Sequence, residues 1–104
     1  MSKNYQGAGQ TVTFTSPTAG TTSGVPLAIN SMVVVPLDTT KKGETCVAAL
    51  GGSWQLPVTG ALKLGAKVSL LAGGLVADGT ADAVPFGKLL TDASGGFAEA
   101  LLIQ

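Results

Sequence analysis

The sequence predicts an all-β fold, a small compact β-barrel or β-sandwich of about eight short strands with an extended N-terminal arm. Three observations carry this. Apolar residues fall in short runs, the strongest being Met32–Val35, Cys46–Leu50, Val68–Leu71 and Ala100–Ile103. Fifteen glycines and five prolines divide 104 residues into segments of strand length. No stretch supplies the helical crossover of about a dozen residues that parallel strands require.

Residues 1–10 are polar and glycine-rich, and read as an arm that orders on a partner. Residues 11–104 form the β body, one domain by length. Thr11-Val12-Thr13-Phe14-Thr15 alternates strictly and predicts a half-buried strand that Ser16-Pro17 stops. Val25–Ile29 holds Pro26, which cannot donate to a ladder, so this is an edge strand or a strand beginning. Asn30-Ser31 predicts a tight turn before Met32–Val35, and Pro36 ends that strand. Lys41-Lys42-Gly43-Glu44 is a turn. A strand over Thr45–Leu50 is separated by Gly51-Gly52 from a short one over Ser53–Leu56, which Pro57 stops. Paired glycines there suggest a bulge or a sharp change of direction.

Ala61–Leu64 is expected to make one helical turn capped by Gly65. Ala66–Leu71 predicts a strand with Ala66, Val68 and Leu70 inward and Lys67 and Ser69 outward. Ala72-Gly73-Gly74 signals a hairpin returning through Leu75–Ala77. Ala83–Leu90 is strand-like but interrupted by Pro85 and Gly87, and Phe97–Ile103 is the last strand.

Composition excludes most chemistry. There is no histidine, no arginine and one cysteine, so a zinc site or a His-activated nucleophile cannot be assembled within the chain. The twelve charged residues, six of each sign, are about half the usual share. Six lysines make no basic stripe, which argues against nucleic acid. No run reaches the eighteen apolar residues of a membrane span, and the N-terminus has no apolar signal core. Neutral, threonine-rich strand faces are compatible with packing against like surfaces, and so with an oligomer or a lattice component.

The remaining candidates each carry a plain reading beside a functional one. Cys46 reads as a buried small hydrophobe. Asp78 and Asp82 lack the ligand spacing of a calcium loop and read as a solvent-facing turn. The glycine pairs match no phosphate-binding pattern. Glu99 alternates with Phe97 and Leu101, and is a wet charge, an interface group or a buried partner of a lysine such as Lys88. Trp54 is a core residue or an interface anchor. The phenylalanines are most simply core. Tyr5 has no core to join unless the arm folds back or lies on another protein. No cofactor, metal or catalytic residue is expected, and the chain does not read as an enzyme.

The opening MSKNYQGAGQTVTFTSP, the loop with Gly24-Val25-Pro26-Leu27, the segments Met32–Leu37 and Lys41–Glu44, TCVAALGGSWQLP, LKLGAKVSLLAGG and VPFGKLL follow one another in a telling order. In this the chain resembles the tailed-phage capsid cement or head decoration proteins, a family sometimes labelled recombinase-like. Lys3-Asn4-Tyr5, Gly52–Pro57 and Leu64–Val68 are its most typical parts. Two positions depart from the family habit: Val34-Val35 replaces a Gly-Val pair, and Ala98–Leu101 lacks a frequent arginine. No nucleotide loop supports the recombinase label.

The resemblance implies a structural virion protein, made in the host cytoplasm, whose β-barrel decoration domain binds the outer surface of the assembled capsid. It would stabilise contacts between subunits of the major capsid protein. It implies a homo-oligomer, trimer favoured over dimer, with Lys3, Asn4, Tyr5, Trp54 and Glu99 as candidate interface residues. A tail or head–tail adaptor protein, and a small enzyme or accessory with a site between subunits, are the alternatives.

Overall fold

The structure is a computed structural model that describes residues 9–104. Nine strands occur among them: β1 (Thr11–Thr15), β2 (Leu27–Ile29), β3 (Met32–Pro36), β4 (Thr45–Ala49), β5 (Ser53–Pro57), β6 (Lys67–Leu71), β7 (Gly74–Ala77), β8 (Val84–Leu89) and β9 (Phe97–Leu102). They form two antiparallel sheets in a sandwich-like arrangement, one ordered β1-β4-β3-β2 and the other β5-β9-β8-β6-β7. The second sheet curls until its two edges touch through one parallel bridge, Val58 to Leu75.

Turn chemistry sets the two tight hairpins. Asn30-Ser31 joins β2 to β3 with Asn30 at φ 56°, a left-handed angle that asparagine tolerates. Ala72-Gly73 joins β6 to β7 with both residues at positive φ, as a type I′ turn requires. Gly51-Gly52 marks a change of direction, because the chain leaves the four-stranded sheet after β4 and enters the five-stranded sheet at β5.

The main core lies on the inner face of the five-stranded sheet. Leu56, Val68, Leu70, Leu75, Phe86, Leu89, Ala98, Ala100 and Leu102 meet there, joined by Val33 and Val35 from β3. β3 has apolar residues on both faces, and all of Val33–Pro36 is buried. Val34 turns the other way, with Cys46 and Ala48, towards a smaller buried group. Loop residues close that group: Thr21 Oγ1 lies 3.6 Å from Cys46 Sγ and 2.6 Å from Thr40 Oγ1, and the Ser16 and Thr40 hydroxyls are hydrogen bonded. Cys46 is thus the buried small residue that its apolar run predicts.

The side chain of Gln104 ties the two layers together. Its Nε2 donates to the Val33 carbonyl at 2.6 Å and to the Leu50 carbonyl at 2.9 Å. The Val33 amide donates back to Oε1 at 3.2 Å.

Four expectations need correction. Residues 61–64 make no helical turn. The segment is extended and ends in a tight turn, closed by the Ala66 amide on the Lys63 carbonyl at 3.0 Å, with Gly65 at φ 86°. Gly65 and Ala93 donate to Leu89 and Leu62, so ladder-like bonds replace helical ones. Ser69 is 2 % exposed although its parity is outward, because the Asp78 carboxylate folds over it and accepts its hydroxyl at 3.2 Å. Val84–Leu89 is one strand, not an interrupted one. A register shift opposite Val68 and Ser69 absorbs the extra residue, Phe86. Phe97 lies outside the core, 47 % exposed.

Candidate docking surface

The outer face of the five-stranded sheet follows from its register. Inward Ala98, Ala100 and Leu102 on β9 alternate with outward Phe97, Glu99 and Leu101. Across β5, Phe97 faces Pro57, Glu99 faces Gln55 and Leu101 faces Ser53. On the other side Leu101 meets Lys88 of β8, which meets Lys67 of β6. The Leu90 amide donates to the Glu99 carbonyl at 2.8 Å, so Leu90, 39 % exposed, extends the same row. The result is an apolar strip of Pro57, Phe97, Leu90 and Leu101 with one carboxylate in it and two lysines at its margin.

Glu99 is therefore an outward, exposed residue. Its amide donates to Thr91 Oγ1 at 3.0 Å, which holds the β8–β9 connection against the strand. Trp54 occupies the next register position on β5, opposite Ala100, and so lies on the opposite face of the sheet from Glu99. Its indole is half-buried against the core, and Nε1 donates to the Gly51 carbonyl at 3.0 Å. The two residues sit on adjacent strands, but the pleat keeps them from one surface. Lys3, Asn4 and Tyr5 lie outside the described residues.

Phe97 is the surface residue that the sequence reading assigned to the core. The usable signal was parity with Glu99. An aromatic two residues before a charge on one strand shares its face.

A second surface lies on the four-stranded sheet. Thr11, Thr13 and Thr15 are exposed on one face of β1 while Val12 and Phe14 are half-buried on the other. Phe14, Pro17, Leu27 and Ile29 line a shallow apolar depression there. Lys67, Lys88, Asp78, Pro85 and Ile103 line another on the five-stranded sheet.

No group of three His, Cys, Asp or Glu residues that could hold a metal occurs among the described residues. Among them, too, no helix is long and apolar enough to cross a membrane.

Comparison with known families finds a match. The sequence model of the phage cement proteins covers residues 6–103. No curated protein and no solved structure matches the chain. A small two-sheet body offering apolar strips suits such a role, and the match spans nearly its whole length: the chain belongs to the phage cement protein family, structural proteins of the virion that stabilise capsid contacts.

Proposed function

We propose that this protein binds the outer surface of the assembled capsid and bridges neighbouring subunits of the major capsid protein. The family match over residues 6–103 is the observation that carries the reading. The mechanism is mass action. A ligand that binds only the assembled shell stabilises it against disassembly, and many weak contacts made together outlast any one of them. The strip of Pro57, Phe97, Leu90 and Leu101 around Glu99 suits such a contact, because exposed apolar side chains grouped on one face favour a partner surface.

In the same reading the arm, residues 1–10 with Lys3, Asn4 and Tyr5, lies along the shell while the β-barrel decoration domain contacts further copies of itself. Trp54, with its indole nitrogen already bonded to Gly51 and its ring against the core, supports that surface from beneath. Deleting residues 2–10 and counting copies per shell by cryo-microscopy tests the arm. Reduced occupancy is expected, and full occupancy refutes the tether. Phe97→Asp tests the strip by the same count. Density on the outside of the shell distinguishes this role from that of a tail or head–tail adaptor, which would be present in far fewer copies.

A further inference from the structure

We propose that β1 is a self-pairing edge, joining antiparallel to β1 of a second copy about a two-fold axis. β1 ends its sheet, and among the described residues only β4 pairs with it. The ladder to β4 fixes which backbone groups are free. The Ser16 amide donates to the Glu44 carbonyl at 2.8 Å, and the Leu50 amide donates to the Gln10 carbonyl at 2.9 Å. Even-numbered residues of this strand therefore turn their N–H and C=O to β4, and Thr11, Thr13 and Thr15 turn theirs to the open side.

Natural edges are usually blunted by lysine, proline, a bulge or a twist. This one carries no lysine, proline or bulge over Thr11–Thr15, and its register with β4 is unbroken. The segment TVTFT is nearly the same read in either direction, which is what a two-fold partner requires. With Thr13 on the axis, Thr11 meets the second copy's Thr15, and the three threonine positions exchange roughly six backbone hydrogen bonds. Val12 then meets the second copy's Phe14, so the half-buried apolar pair becomes a continuous stripe beside the depression at Pro17, Leu27 and Ile29. Charge decides the occupant. A residue on a two-fold axis faces its own copy, so any charge there would repel itself, and β1 has none.

This pairing favours the two-fold dimer over the trimer that the family resemblance implies. It is independent of how the protein docks on a shell.

Sedimentation velocity of the full chain over a concentration series tests it. The expected result is a shift from monomer mass to twice that mass. Thr13→Lys places like charges on the axis and should weaken the dimer by at least about tenfold, with far-UV circular dichroism unchanged. Thr13→Cys should cross-link to its own copy on mild oxidation, whereas Thr11→Cys, several residues from its copy, should not; Cys46 is buried and silent. A monomer at all concentrations, a trimer, or a dimer unmoved by Thr13→Lys overturns the proposal. So does amide protection at Thr11, Thr13 and Thr15 that appears only on shells, which would give the edge to a capsid strand. A monomer that still decorates shells would leave the capsid role standing.

Discussion

Gly87 in β8 has no room for a side chain. A Cβ built there would overlap the Leu101 carbonyl oxygen and stand 3.0 Å from the Ile103 nitrogen, both backbone atoms that cannot swing aside. Gly87→Ala should therefore force β8 and β9 apart and cost about 3 kcal/mol, read as a lower midpoint in urea unfolding. Ala72 is the opposite case. It holds φ 52° in the β6–β7 turn, an angle that strains an alanine. Ala72→Gly should stabilise the fold by about 1 kcal/mol, with the urea midpoint moving up. Of the residues singled out from sequence, Cys46 was legible because its apolar run fixed it, while the sequence leaves Glu99 open among a wet charge, an interface group and a buried partner of a lysine, and its exposure on β9 appears only in the structure. Phe97 was not legible. Aromatic character outweighed parity, and alanines at 98 and 100 gave little sign that they, rather than Phe97, fill the core.

At the scale of elements, most strands were legible because glycine, proline or a turn pair bounded them, while β8 was misread because Pro85 and Gly87 lie inside it. Pairing was not legible. β1 pairs with β4 and β5 with β9, and neither partner is a sequence neighbour. The helical turn expected at 61–64 failed for a related reason. The Leu62 carbonyl accepts the Ala93 amide and the Leu64 amide donates to the Asp92 carboxylate, so the partners of this segment are distant residues. Trp54 and Glu99 were both placed on the right strands, yet only the β5–β9 register shows that they face opposite ways. The Gln104 amide was also unreadable in advance, since its partners Val33 and Leu50 are far off in the chain. Gln104→Ala removes three hydrogen bonds at once and leaves the backbone of buried Val33 short of a donor and an acceptor. The expected loss is about 2 kcal/mol. Gln104→Glu should recover little, because a carboxylate cannot donate to the two carbonyls. Thermal unfolding of the two variants side by side checks this.

For the whole molecule, low charge and exposed apolar strips fit one role, the stabilising of capsid contacts. The body needs to be stable, neutral and adhesive on chosen faces. A protein that binds only assembled shells raises the shell's melting temperature, and the rise continues past saturation as the logarithm of free protein concentration. At a hundred times the dissociation constant, the gain is about 2.7 kcal/mol per site. Calorimetry of shells titrated with this protein should show that continued rise. A plateau at saturation would mean that the shell fails elsewhere first.

The position of β9 has a kinetic consequence. Among the described residues, β9 sits between β5 and β8, far along the chain from β5, and β5 has no other full ladder. Ser53 must wait for Leu101, and Pro57 for Phe97. Closing so long a loop is slow, and folding on a time scale of about milliseconds to seconds is expected. The β6–β7 hairpin needs no such wait. Pulse-labelled hydrogen exchange during refolding should find its amides protected early, and those of β5 only when β9 arrives.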